Sequence, residues 1–481
     1  MRKKTRCYFV VAVTMVLFTQ GINAQSNNVQ PNIVFILADD LGYGDIGVNG
    51  QRLIKTPNID KLAKEGMVFT QFYAGATVCA PSRSALLTGL HTGHTYIRGN
   101  VSVSPEGQQP IPDSIITITE ILQQAGYRTG AFGKWGLGPV RSSGDPNKHG
   151  FDIFYGYNCQ GLAHRYYPTH LWENDKKIEL EGNAGFLQQQ QYAPDIIQQK
   201  AIDFISADDG KKPFFLFLPF ILPHAELLVP DDSIFQYYKG KFKEAAYKGK
   251  DYGANAAPEG YTSQQFPHAT FAAMVSRLDM YVGQVVAKLK EKGLDKNTLI
   301  IFTSDNGPHI EGGADPVFFN SGGGFRGTKR DLTEGGIHIP FIVKWDGVIK
   351  PGTSTKHIGA FWDLFATFSE LADARQVQKT DGISFVPTLT GKKGQQNHDY
   401  LYWEFHEEGG KQAIRQGNWK AIRLLVDSLP TGPVELYDLS KDTGEKINLA
   451  KKYPAKVREL ELLIQQAHVK SELFPFKKER L

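Results

Sequence analysis

The sequence predicts an α/β fold: a large, mainly parallel sheet sandwiched by helices, followed by a smaller C-terminal α+β subdomain carrying an antiparallel sheet. Three observations predict it. Short continuous apolar runs, such as NIVFILA at residues 32–38 and PFFLFLPFI at residues 213–221, read as strands buried on both faces. Between such runs lie segments with apolar residues three and four apart, which read as helices. Strands that alternate with helices favour a parallel sheet covered on both sides. From about Gly391 onward the alternation stops.

Asn32–Ala38 is the first strand. Thr56-Pro57 opens a helix running through Lys64, because proline at the first helical position lacks only an amide that has no partner there; Gly66 closes it. A helix through Ile118, Ile121, Leu122 and Ala125 ends at Gly126 and leads into a strand over residues 127–132. Pro213–Ile221 is a further strand. The clearest helix carries Phe271, Met274, Val275, Leu278, Val282, Val285, Val286 and Leu289 on one stripe. Gly293 ends it, Thr298–Thr303 follows as a strand, and Ile339–Trp345 gives another. In the tail, residues 399–406, 413–425 and 434–439 read as antiparallel strands joined by short turns such as Gln416-Gly417-Asn418. A final amphipathic helix runs through Val457, Leu460, Leu463 and Ala467. The expected division is a leader at 1–24, a main domain at 25–390 and a subdomain at 391–481.

The leader rests on its own pattern. Arg2, Lys3, Lys4 and Arg6 precede an apolar run from Cys7 to Phe18, and Gly21-Ile22-Asn23-Ala24 follows, as in a secretory signal peptide cleaved near Ala24. The run is shorter than the roughly 20 residues that span a bilayer. No other segment is long and apolar enough, so the expectation is an exported protein, periplasmic or extracellular, with no membrane span. The chain carries 54 Lys+Arg against 50 Asp+Glu, and the leader accounts for the whole difference, leaving a formally neutral remainder. That balance, with no basic block, gives no reason to expect a nucleic-acid partner. Three cysteines in 481 residues, without a C-x-x-C pair, exclude a disulfide scaffold and a zinc ribbon.

Ligands of open α/β sheets sit outside the carboxyl ends of the strands, and two strand ends here carry unusual side chains. Asp39-Asp40 follows the first strand, and Ser304-Asp305-Asn306-Gly307 ends TLIIFT. Three carboxylates and a carboxamide converging there make a hard-oxygen cage suited to calcium, or less well magnesium; read singly they are ordinary turn residues. In the segment TVCAPSRSALLTG at residues 77–89, Cys79 lies just before a proline that suits the first turn of a helix. A thiol at a helix N-terminus is expected to have a lowered pKa, although a lone cysteine is also a common buried residue.

The string C-x-P-S-R followed by A-L-L-T-G resembles the signature of type I sulfatases, in the alkaline-phosphatase-like superfamily. ADDLGYGDIG at 38–47, GKWGLG at 133–138, SDNG at 304–307 and EGGIHIPFIVKW at 334–345 match further motifs in the family's order, over about 310 residues. The resemblance implies that Cys79 is oxidised by a separate maturation enzyme to Cα-formylglycine. One hydroxyl of the hydrated aldehyde attacks sulfur and expels the alcohol; the other then eliminates sulfate and restores the aldehyde. It implies one calcium ion per chain held by Asp39, Asp40, Asp305 and Asn306, with residue 79 beside it. Arg83 would hold the diol, Lys134 and Lys329 would grip the sulfate oxygens, and His224 is the candidate general acid. The family's G-K-W-H-L-G has Gly136 in place of its histidine here, so either another group, with His309 the candidate, reaches the diol or the elimination relies on water; His309 is equally read as a substrate contact or a plain loop residue.

The stretch FYGYNCQGLAHRYYPTHLW at residues 154–172 is dense in aromatics and carries His164, Arg165 and His170. It either presents ring faces to a sugar or packs on the core; it resembles the corresponding loop of arylsulfatase A-like and N-acetylgalactosamine-sulfate-cleaving members. The implied substrate is a sulfated glycan, first a galactose or N-acetylgalactosamine 6-O-sulfate, then a 4-O-sulfate. Arg326, Arg330 and Asp331 flank Lys329 and either touch the same sugar or brace the loop. Two rival readings are a phosphodiester or phosphonate monoester hydrolase of the same superfamily, and a secreted glycan-binding protein without turnover.

Overall fold

A computed structural model describes residues 30–183, 189–249, 260–374 and 378–479. The leader expected at residues 1–24 lies outside them. A ten-stranded sheet is built from β1 (Asn32–Ala38), β2 (Met67–Phe69), β4 (Arg128–Lys134), β5 (Ile153–Tyr157), β6 (His170–Glu173), β7 (Lys176–Glu179), β8 (Phe214–Pro219), β9 (Thr298–Ser304), β10 (Phe341–Trp345) and β11 (Thr353–Thr355). Its order is β11-β2-β10-β9-β1-β8-β4-β5-β6-β7. The central strands β9, β1, β8, β4 and β5 are parallel, while β10 and β6 run antiparallel to their neighbours. A two-stranded ribbon pairs β3 (Phe72–Tyr73) with β12 (Gly359–Ala360).

The apolar run of β1 is continuous because both faces of the strand are covered. Val34, Ile36 and Ala38 point into one core with α1 (Pro57–Glu65), α5 (Ala193–Ser206), α6 (Ser233–Tyr238) and α7 (Pro267–Glu291). Ile33, Phe35 and Leu37 point into the other, with α2 (Cys79–Thr88), α3 (Ile118–Gln124), α9 (Asp363–Leu371) and α10 (Val386–Thr390). Two short helices, α4 (Gln160–Ala163) and α8 (Glu334–Ile337), sit at the carboxyl edge of the sheet.

The tail forms a second sheet, β13 (Leu401–Phe405), β14 (Lys411–Gln416), β15 (Trp419–Leu424) and β16 (Val434–Asp438), antiparallel and in chain order. The turn expected at Gln416-Gly417-Asn418 divides the 413–425 segment between β14 and β15, and Gly417 makes it with a left-handed φ of 57°. One face of this sheet carries Tyr402, Ile414, Ala421 and Leu436 against Leu460 and Ile464 of α11 (Pro454–Ala467). The other face carries Leu401, Trp403, Ala413 and Ile422 against Tyr73, Val78, Leu332 and Trp362 of the main body. Lys420 reaches through that interface, fully buried, to Glu334 at 2.8 Å and Glu445 at 3.0 Å.

Most of the aromatic stretch at 154–172 is core. Phe154, Tyr155 and Tyr157 lie in or beside β5, and Tyr166 and Tyr167 are buried among α5 and α7 side chains. Their rings fill the space beside an outer strand of the sheet, which accounts for their density without a sugar.

Candidate active site

Parallel strands bring their carboxyl ends to one edge. Ala38 of β1 pairs with Ser304 of β9, so the residues that follow, Asp39-Asp40 and Asp305-Asn306, emerge side by side. The amide of Asp305 donates to Ala38 O at 3.0 Å, and that of Asp40 donates to Asp305 Oδ1 at 3.1 Å. Asp40 holds a left-handed φ of 62°, which sends its side chain along a different path from that of Asp39. Gly307 is required by closeness: a Cβ there would stand 1.9 Å from Gly335 O.

Cys79 is the first residue of α2, and every residue of that helix is buried. Its Sγ lies 3.3 Å from Asp39 Oδ1. The expected lowering of the thiol pKa is not found: burial, and the Asp39 charge beside it, push Cys79 well above the ordinary thiol value. One helix turn later Arg83 donates through Nε and Nη2 to Asp305 Oδ2, at 3.2 and 2.8 Å, and through Nη1 to Lys134 O at 2.7 Å. Lys134, the last residue of β4, places Nζ 2.7 Å from Asp39 Oδ2. Burial alone would raise the Asp39 carboxyl, but the Lys134 and Arg83 charges hold it well below the usual range. Asp305 moves the other way, pushed up by burial and by its neighbour Asp39.

Lys329 approaches from the opposite side. Its Nζ donates to Asp40 Oδ2 at 2.8 Å and to His224 Nε2 at 3.0 Å, and stands 3.4 Å from Glu311 Oε2. His224 Nδ1 donates to Ala225 O, so its Nε2 is the acceptor toward Lys329. Burial and the Lys329 charge depress the His224 pKa, leaving the ring neutral. The imidazoles of His164 and His309 stack on the two sides of this ring, at 4.7 and 5.7 Å between centroids. His309 Nε2 donates to Pro223 O at 3.1 Å and Nδ1 accepts from the Glu311 amide at 3.2 Å, so both nitrogens are occupied. It offers neither to a group at residue 79.

A cavity of about 480 Å³ opens at His164, His224 and Lys329, and is lined by Arg330, Gln160 and Tyr261 among others. Of the residues expected at the substrate, His164 and Arg330 line it. Arg165 instead pairs with Glu226 at 2.9 Å and borders an adjoining cavity of about 550 Å³. His170 is held by Glu106 at 2.8 Å. Arg326 turns to Glu435 and Tyr437 of β16, and Asp331 caps the Thr328 amide at 3.1 Å and faces Lys411. These contacts brace the loop. Glu311, Gln160 and Tyr261 were not foreseen. Glu311 ion-pairs with both Lys329 and Arg330, which holds its carboxyl well below the usual value against the effect of burial. It lies six residues beyond Asp305 in the same loop, a proximity the sequence does display.

The oxygen donors here fit a hard cation. One ligand atom each from Asp39, Asp40, Cys79 and His224 lies within 4.8 Å of the others, and of these the two carboxylates are the hard donors. Asn306 Nδ2 donates to Asp40 Oδ1 at 2.6 Å, while its buried Oδ1 has no hydrogen-bond partner. An orphaned carboxamide oxygen beside clustered carboxylates is what an oxygen-seeking divalent ion requires.

Comparison with known proteins agrees with this geometry. The sequence model of the sulfatase family matches residues 31–374, and that of the N-sulphoglucosamine sulphohydrolase C-terminal region matches residues 325–470. The N-acetylgalactosamine-6-sulfatase of Mus musculus is 30% identical over 86% of this chain and 76% of its own length. The N-acetylgalactosamine-6-O-sulfatase of Bacteroides thetaiotaomicron is 29% identical over 91% and 93%. The crystal structure of Ps i-CgsB in complex with k-i-k-neocarrahexaose superposes with a TM-score of 0.74 at 29% identity, covering 90% of this chain and 92% of that one.

Proposed function

The chain belongs to the sulfatase family and is a sulfuric ester hydrolase, and we propose that it is exported and removes sulfate from glycans through a formylglycine made from Cys79. The observation that carries this reading is one contact set. Cys79 Sγ stands 3.3 Å from Asp39, Lys134 and Lys329 bind Asp39 and Asp40, and Lys329 lines a cavity together with His224. The formylglycine would supply an aldehyde hydrate as the nucleophile, which a buried thiol with a raised pKa does not provide. Calcium, held by Asp39, Asp40, Asp305 and Asn306, would supply polarisation of the oxygens at residue 79.

The chain's own groups do the rest. Arg83 is fixed by Asp305 and Lys134 O, so it offsets the carboxylates without moving. As substrate enters, Lys134 and Lys329 exchange carboxylate oxygens for sulfate oxygens and stabilise the charge that gathers there. Proton delivery to the leaving alcohol falls to His224. Its Nε2 accepts from Lys329 in the resting site, so His224 would take up a proton there once Lys329 turns to the sulfate, and pass that proton to the departing oxygen.

The relatives named above act on N-acetylgalactosamine 6-sulfate by their names, which supports a galactose or N-acetylgalactosamine 6-O-sulfate as the first candidate and a 4-O-sulfate as the second. The N-terminal leader supports export, and no described helix is long and apolar enough to cross a membrane. The test is expression with a formylglycine-generating enzyme, peptide mass at residue 79, and turnover of defined 6-O- and 4-O-sulfated monosaccharides beside aryl sulfate and aryl phosphate. Sulfate release with an aldehyde at residue 79 is expected. Preference for the phosphate ester by orders of magnitude would overturn the sulfate-ester reading, and an unmodified cysteine with no release would favour a binding protein.

A further inference from the structure

We propose that Gln160 donates a hydrogen bond to the anion in the active-site cavity, from the space that Gly136 leaves at the end of β4. The inference rests on the sulfate-ester reading above. β4 and β5 are parallel with Lys134 opposite Tyr157, and the Trp135 amide donates to Tyr157 O at 2.9 Å. The chain therefore leaves both strands side by side, which sets Gly136 against the first residue of α4, Gln160. Gly136 has a left-handed φ of 81°, and a Cβ there would meet Gln160 Cγ and Nε2, each at 3.5 Å. The nearest group to the missing side chain is thus the Gln160 carboxamide.

That carboxamide is built into the site. Gln160 is 6% exposed, yet its Nε2 has no hydrogen-bond partner, and the residue lines the cavity together with His164, His224 and Lys329. A buried amide N–H left without an acceptor is costly, so such groups in native proteins find one. Lys329, Lys134 and Arg83 are cations and cannot accept, and Gln108 Oε1, which lines the same cavity, does not reach it. The acceptor that the cavity is shaped to admit is an oxygen of the sulfate ester. A carboxamide neither takes up nor releases a proton at neutral pH, so Gln160 orients and stabilises the anion without relaying protons.

The experiment measures inorganic sulfate affinity by thermal stabilisation of the protein with residue 79 left as cysteine, which needs no turnover. Kinetics on an aryl sulfate follow with the matured enzyme. Gln160→Leu keeps the volume and removes the donor; Gln160→Glu replaces it with a negative acceptor; Gln160→Asn keeps a shortened amide. The expected order of sulfate affinity is wild type, Asn, Leu, Glu. The Leu variant should lose about ten- to a hundredfold, the size of a hydrogen bond to a charged acceptor, with kcat/KM falling in parallel and the melting temperature without sulfate nearly unchanged. Sulfate affinity of the Glu variant equal to wild type, or no sulfate binding by the wild type, overturns the assignment. Sulfate binding that depends on Gln160, without aryl sulfate turnover once the aldehyde is verified, would leave the assignment standing and bring down the catalytic reading instead.

Discussion

Lys134 and Asp39 form a wholly buried ion pair, Nζ to Oδ2 2.7 Å, between the ends of two parallel strands that flank β8. Removing one partner strands the other in a dry interior, where Arg83 at 3.5 Å is the remaining counter-charge. Lys134→Met should cost about 3–5 kcal/mol, read from the denaturant midpoint, and should abolish sulfate release. The double variant Asp39→Asn with Lys134→Met should recover most of the stability and none of the activity. Equal stability of the single and double variants would show that the pair is not coupled.

Asn306 gives a metal prediction with a physical readout. Calcium should raise the melting temperature of the wild-type protein, and a chelator should lower it and stop sulfate release. Asn306→Leu, which removes the unpartnered Oδ1 without changing the volume much, should lose most of the calcium-induced shift. A full shift in the variant would take Asn306 out of the ligand set.

Far from the site, His398 Nε2 lies 2.6 Å from Asp363 Oδ1, and the pair raises the His398 pKa above 6.5 although burial opposes it. A histidine with a raised folded pKa adds stability that is fully present below 6.5 and lost as pH climbs through the folded value. The unfolding free energy should therefore fall from pH 6.5 upward, and His398→Asn should flatten that slope. A slope of the same size in the variant would exclude this pair as its source.

Gly307→Ala should be severe for its size. The added Cβ would press on Gly335 O at 1.9 Å, and the next residue, Pro308, accepts the Lys329 amide at 2.8 Å. We expect a loss of about 1–3 kcal/mol from overpacking, together with a KM increase for the sulfate ester as Lys329 shifts. Wild-type KM in a destabilised variant would separate the packing effect from the placement of Lys329.

The fold was legible where one physical rule dominates. NIVFILA and TLIIFT are continuous apolar runs because helices cover both sheet faces, and the stripe from Phe271 to Leu289 lies within α7. The antiparallel sense of β10 was not legible, since strand direction is set by partners that a single run does not encode. In the site, Asp39-Asp40 and Asp305-Asn306 come together as their strand-end positions suggested, and Cys79, Arg83, Lys134, His224 and Lys329, which the family resemblance singled out, lie beside them. For His170, Arg326 and Asp331 the sequence left substrate contact and loop bracing open, because a charged residue beside a motif does not reveal which way its loop turns. Glu106, Glu435 and Lys411 claim them first. The thiol of Cys79 differs for an energetic reason: burial against Asp39 outweighs the helix terminus.

Lys420 ties the tail to the body more tightly than a boundary near Gly391 implies. Its ammonium neutralises Glu334, at the turn that leads into β10, and Glu445, beyond β16. Neither carboxylate can enter water while the interface is closed; without Lys420, Glu334 would keep Tyr73 and His338, whereas Glu445 would lose the cation that faces it. The boundary is therefore one of topology and not of cooperativity. Truncation after β12 would not yield a smaller working protein, and heating should melt both sheets in a single transition.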